Sequence, residues 1–168
     1  AAGALAVTGG APVVGAMGQG SPAESVSAGR MSPAEELMRE HAVVHRLAIV
    51  YDKVVRDLKA GEPVPSELLN TGRLVDEFIE KYHEELEERH VFPHLQAADR
   101  YTGLIATLRQ QHRRGRALAE RVYFLAGKGD GLDQLGRQQL VAACRDYAWM
   151  YRAHAAREDS VLWPALRQ

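Results

Sequence analysis

The chain repeats itself at one fixed offset. HEELEERHVFP at 83–93 returns 71 positions later as HAAREDSVLWP at 154–164, so that His83 answers to His154, Glu87 to Glu158, Glu88 to Asp159, Phe92 to Trp163 and Pro93 to Pro164. The same offset joins LMREH, ending at His41, to LRQQH, ending at His112, and it joins Leu47 to Leu118. Each copy therefore reads His, then about forty residues, then H-x-x-x-E. A charged face that merely meets solvent has no reason to return its His and Glu at a constant spacing. Repeated supersecondary units bury their apolar faces against one another, so the two copies are expected to form one core.

Each copy is expected to be a pair of helices. Ser32-Pro33-Ala34-Glu35 offers an N-cap serine, a proline at the first helical position and a glutamate at N3. From there Leu37, Val44, Leu47, Ala48 and Val55 keep a helical stripe until Gly61-Glu62-Pro63. Ser66 is expected to cap a second helix carrying Leu69, Leu74, Phe78 and Leu86 toward Phe92-Pro93. A third begins near Thr102 and runs through Leu104, Leu108, Leu118 and Val122 to the glycines at 127–131. A fourth starts about Leu132 and continues through Leu140, Ala143 and Met150 toward Trp163-Pro164. No stretch alternates as a strand would. Long helices joined by short loops predict an all-α fold, an antiparallel up-down four-helix bundle built from two pseudo-symmetric helical hairpins.

At 168 residues the chain suits one domain, with 26% charged residues and a formal net charge of −1. That balance gives no footing for nucleic acid, which calls for a basic patch; Arg113, Arg114 and Arg116 are read as the solvated face of a helix. Cys144 is the single cysteine, so an intrachain disulfide and a cysteine-based metal site are both excluded. Residues 1–31 stand apart from the domain at 32–168. Their first twenty carry no charge and are mainly Ala, Gly and Val, too often interrupted by glycine for a membrane span. This stretch is similar to the tail of a twin-arginine export signal without its basic front, which would place the domain in the periplasm or outside the cell. As a disordered low-complexity leader it would leave the domain in the cytoplasm.

On a helix, residues i and i+4 share a face about 6 Å apart along the axis, so H-x-x-x-E sets an imidazole beside a carboxylate. A four-helix bundle brings the helix midpoints together, and His41, His83, Glu87, His112, His154 and Glu158 are expected to converge. A single histidine on an apolar face is more often a satisfied core residue than a ligand. Six groups in register on four helices are another matter, since two glutamates buried without a cation would be costly. Imidazoles and carboxylates without a thiolate suit iron or another first-row transition ion rather than calcium or structural zinc.

The motifs EH at 40–41, H-x-x-x-EE with FP at 83–93, QH at 111–112 and H-x-x-x-ED with WP at 154–164 resemble, taken together, the hemerythrin-like (HHE cation-binding) domains. The resemblance covers roughly 33–167. It implies a pair of non-haem iron ions inside the bundle, joined by two carboxylates and an oxo or hydroxo group. Glu87 and Glu158 resemble the bridging carboxylates, and His41, His83, His112 and His154 the terminal imidazoles. Hemerythrin itself carries H-x-x-x-H on its third helix; here His112 is followed four residues on by Arg116, whereas the first helix offers His41 and His45. His45 is thus expected either as the fifth imidazole ligand, reaching in from the opposite side, or as a rim residue. His90 and His94, without counterparts at Val161 and Ala165, are read as surface or lid residues. The resemblance implies binding of O2, NO or peroxide, as a carrier, buffer or sensor, or turnover of peroxide or NO by the same centre. Iron delivery ranks below both, because no cysteine stands in the N-terminal stretch, and ferritin-like storage lower still, because E-x-x-H motifs are missing. No residue set resembles a pocket for a larger organic substrate.

Overall fold

The computed structural model describes residues 31–166, and the leader expected at 1–31 falls, Met31 apart, outside them. The described residues form four long helices and no strand: α1 (Pro33–Lys59), α2 (68–97), α3 (Thr102–Ala126) and α4 (134–166). Local chemistry sets their ends. Ser32 Oγ accepts from the Glu35 N–H while Glu35 accepts from the Ser32 N–H at 2.9 Å, so α1 opens on the expected capping box. Its far end closes with the N–H of Gly61 on Leu58 O and that of Glu62 on Asp57 O, a Schellman pattern. Gly61 takes φ +90°, which an L side chain resists. Asp133, rather than Leu132, starts α4 by accepting from the Gly136 N–H at 2.7 Å. Ser66 does not cap α2. Its hydroxyl turns to the Glu67 carboxylate, and α2 begins at Leu68 without a side-chain cap.

Two of the helices are not uniformly α. Within α2 the ladder widens to π-helical bonding over Val75–Glu84 and again over Glu87–Val91; within α4 it widens over Glu158–Leu162. The last two segments begin at the repeated glutamates and keep the offset of 71. Each closes with an i→i+5 bond, Phe92 N–H to Glu87 O and Trp163 N–H to Glu158 O. Pro93 and Pro164 follow at once. A proline lacks the N–H of an α ladder and its ring presses on the carbonyl four residues back. A wide turn relieves that press and lets the helix continue to Ala97 and Leu166 instead of stopping at the prolines. In α2 Val75, Ile79 and Leu68 are buried, whereas Leu74, expected in the stripe, is exposed.

The core falls into two parts. One holds Leu37 of α1, Phe92 and Leu95 of α2, Ile105 and Leu108 of α3, and Leu162 and Trp163 of α4. The other, larger part includes Val44, Tyr51, Ile79, Val122, Tyr147 and Tyr151. On α1 the first part precedes His41 and the second follows it. On α3 the same order holds about His112, and on α2 and α4 it is reversed about His83 and His154. The repeated histidines and glutamates thus form a polar layer across the bundle, with an apolar core on either side. Among the described residues no helix is long and apolar enough to cross a membrane.

Candidate metal centre

His41, His83, His112 and His154 are all buried, as are Glu87 and Glu158. Glu87 places Oε1 3.1 Å from His83 Nε2 and Oε2 3.3 Å from His112 Nε2. Glu158 mirrors it, with Oε2 3.2 Å from His41 Nε2 and 3.1 Å from His154 Nε2. Each glutamate therefore touches one histidine from each half of the chain. Two ligand sets result: His41 and His83 with both glutamates, and His112 and His154 with the same two glutamates. In each set the donor atoms lie within 4.8 Å of one another.

The outward nitrogens are held by a ring of neighbours that runs around the bundle. His83 Nδ1 on α2 meets Glu40 of α1 at 2.8 Å, and His112 Nδ1 on α3 meets Glu88 of α2 at 2.8 Å. His154 Nδ1 on α4 meets Gln111 of α3 at 3.2 Å, and His41 Nδ1 on α1 meets Asp159 of α4 at 2.7 Å. Each helix thus supplies the group that orients the histidine on the next. An acceptor at Nδ1 fixes the proton there and leaves the Nε2 lone pair facing inward, the tautomer a metal needs. Phe92 stacks on His112 at 5.7 Å between ring centroids, and Trp163 lies tilted over His41 at 6.1 Å. Both rings close the layer on its apolar side.

The inward atoms fit a cation. His41 Nε2, His83 Nε2 and both oxygens of Glu87 and of Glu158 complete no hydrogen bond within the protein. His112 Nε2 and His154 Nε2 face each other at 3.2 Å, where two lone pairs repel unless a proton or a metal lies between them. Buried carboxylates and imidazoles left in this way cost several kcal/mol, and a multivalent cation removes that cost. Without metal, protons take its place. Burial pulls the His41 imidazole down, but the hydrogen bond to Asp159 and the Glu158 carboxylate close by outweigh it and raise the group to about 9. His83, pulled down by burial and lifted by the Glu87 charge and by Glu40, reaches about 10. His112, lifted against burial by Glu87 and Glu88, also reaches about 10. Burial pushes the Glu87 carboxyl up, yet the His83 and His112 charges hold it well below the carboxylate range.

His45 does not join the cluster. The buried seam of α1 runs through Leu37, His41, Val44, Ala48 and Tyr51, and position 45 sits on its flank, exposed. His90 and His94 are also exposed. Arg116, the counterpart of His45 at the same offset, is not simply a solvated charge. Its Nη1 lies 2.5 Å from Glu84 Oε2 and its Nη2 3.4 Å from Glu88 Oε1. Glu84 is the site residue that the repeat did not reveal: it is 1% exposed and accepts the Tyr151 hydroxyl, and its counterpart is Ala155. The orienting groups, by contrast, were marked by the repeat, since Glu40 pairs with Gln111 and Glu88 with Asp159.

Residues 32–167 match the model of a protein family described as the hemerythrin HHE cation binding domain. The chain is 41% identical over 134 residues to three uncharacterized mycobacterial proteins: Rv1995 and MT2051 of two Mycobacterium tuberculosis strains, and Mb2018 of Mycobacterium bovis. The match covers 79% of this chain and 52% of each relative, so the chain spans about half the length of the curated proteins it matches. No solved structure matches.

Proposed function

The chain belongs to the hemerythrin HHE cation-binding family, and on that premise we propose that its bundle holds a pair of non-haem iron ions that reacts with a small oxidant, O2 or peroxide. The observation that carries this reading is the sharing of Glu87 and Glu158 between two ligand sets. A single cation would use one set and leave the inward nitrogens of the other unmatched. We read the two halves as antiparallel hairpins related by a pseudo-twofold axis, each supplying the histidines of one ion and a carboxylate common to both. The donor set, imidazole and carboxylate without thiolate, suits iron over structural zinc.

Bound there, an iron pair supplies redox chemistry toward O2, NO or peroxide. The chain's residues supply the setting. His41 and His83 hold one position, His112 and His154 the other, while Glu40, Glu88, Gln111 and Asp159 keep each imidazole in the required tautomer. Phe92, Leu108, Leu162 and Trp163 keep water from one side of the layer. With His45 turned to solvent, the chain would offer an iron pair four imidazoles and two carboxylates, which would leave room for small ligands at more than one position. That room would favour turnover of peroxide or NO over reversible carriage of O2, which needs only one open position. Iron delivery has no supporting feature in the bundle.

The test is anaerobic reduction of the iron-loaded protein, then exposure to air and to peroxide, followed optically. Peroxide consumption over many cycles with slow, irreversible reoxidation in air is the expected result. A stable oxygenated spectrum that reverses on removing O2 would restore the carrier.

A further inference from the structure

Three of the six tyrosines stand in one buried line behind the metal layer. Tyr151, Tyr147 and Tyr51 are each 0–1% exposed, although a phenol so deeply buried needs a reason for its hydroxyl. The Tyr151 ring meets His154 edge-on at 5.5 Å between centroids. Tyr147 follows at 4.4 Å from Tyr151, and Tyr51 at 5.1 Å from Tyr147. The Tyr51 hydroxyl is hydrogen-bonded to Thr71 Oγ1 at 3.3 Å.

The seat of Tyr151 is specific. Its hydroxyl donates to Glu84, whose second oxygen is paired with Arg116. Gly115, inside α3, leaves room for the ring, since a Cβ there would stand 2.7 Å from Tyr151 Cε2. A glycine within a helix is less favourable than alanine, and this one makes space for the phenol. Arg116 also lines a surface cavity of about 670 Å³ with Arg113, Glu80 and Glu120, so the Glu84 pair stands between Tyr151 and water.

We propose that Tyr151, backed by Tyr147 and Tyr51, is a one-electron donor to the metal centre, so that peroxide arriving when the iron is already ferric draws electrons from the phenols rather than from the ligands. This rests on the iron-pair reading of the site. Reduction of one hydrogen peroxide to two waters takes two electrons and two protons. A ferrous pair would supply both electrons; where the pair is already ferric, one peroxide and two phenols give two waters and two neutral phenoxyl radicals. Tyr151 gives its electron toward His154 and its proton along the hydrogen bond to Glu84, from which it passes to the water formed. Tyr147, whose hydroxyl has no hydrogen-bond partner among the described residues, then passes an electron and its proton to the Tyr151 phenoxyl across the tilted rings. The hole moves away from the ligands toward Tyr51.

The experiment uses the full chain loaded with iron, its iron content and the pair's spectroscopic signature checked first. The ferric protein is mixed with hydrogen peroxide, frozen and read by electron paramagnetic resonance, with a parallel sample made from ring-deuterated tyrosine. An organic radical whose hyperfine pattern changes on deuteration is expected. It should be lost in Tyr151→Phe and keep its full intensity in Tyr123→Phe, an exposed tyrosine. Peptide mass spectrometry should find oxidised tyrosine at 147 and 151 in the parent, and oxidised histidine or Trp163 in Tyr151→Phe. Circular dichroism checks that Tyr151→Phe folds; if it does not, Tyr147→Phe, expected to confine the radical to Tyr151, carries the same test. If the iron pair forms and peroxide is consumed, but no tyrosyl radical appears or Tyr151→Phe keeps it, the donor role is overturned and the reading of the site stands. If no iron pair forms, both fall.

Discussion

In the first half of the bundle His83 leans on Glu40, and in the second half its counterpart His154 leans on Gln111. His41 is oriented by Asp159 and His112 by Glu88, and Arg116 draws on Glu88 as well. The inward geometry is nearly the same in both halves, with imidazole-to-carboxylate distances between 3.1 and 3.3 Å. What differs lies one layer out. One ligand set has two carboxylates behind its histidines; the other has a carboxylate and an amide, with Glu84, Arg116 and Tyr151 alongside. The six inward groups have the geometry a cation requires, whereas the residues behind them are free to make two like positions unequal. Metal analysis and variants can break this comparison or sharpen it.

The largest effect is expected at the shared carboxylates. Glu87→Ala or Glu158→Ala removes a group that contacts histidines of both halves, so each variant should lose both metals and the stability that metal confers. Metal content per chain and melting temperature read this out. A variant that kept both metals would show the halves to be independent. Next come the histidines themselves. His83→Ala should empty the first position and leave the second largely filled, and His154→Ala should do the reverse, with about half the metal retained in each.

Smaller effects separate the orienting residues. Glu40→Ala should weaken metal affinity by about 10- to 100-fold, as loss of a carboxylate behind a ligating histidine does elsewhere. Gln111→Ala should cost less, since a neutral amide at 3.2 Å polarises His154 less than a carboxylate does. Equal losses would show that the asymmetry has no energetic weight. The metal-free chain carries a pH signature as well. His41, His83 and His112 are raised to about 9 to 10, so the stability they lend is whole below about 6.5 and is lost as the pH climbs through 9 to 10. Metal affinity should rise over the same window, because the metal displaces those protons. Melting curves of the apo and loaded chain from pH 6 to 10 check both signs.

The fold was largely legible because its periodicities are simple. The capping box at Ser32, the stripe of α1 and the turn at Gly61 obey local rules, and the offset of 71 marked the six inward histidines and glutamates together with their outer partners. Three features were hidden for physical reasons. The π-helical turns change the residues per turn, which a stripe read at the α period does not register. His45 stands four residues from His41, the spacing that ordinarily means a shared face, but the seam of α1 passes through Val44 and Ala48 and leaves it outside. Glu84 has no counterpart in the other half, so only its burial and its partners Tyr151 and Arg116 reveal it. His45→Ala marks the lower end of the scale and should change stability by less than about 0.5 kcal/mol with metal content unaltered.

The central claim, that both glutamates are shared by two metal positions, is tested most directly by anomalous diffraction at the iron edge from crystals of the iron-loaded chain. Two peaks are expected between Glu87 and Glu158, one beside His41 and His83 and the other beside His112 and His154, each within bonding distance of both carboxylates. A single peak, or two peaks each bound by only one glutamate, would contradict it.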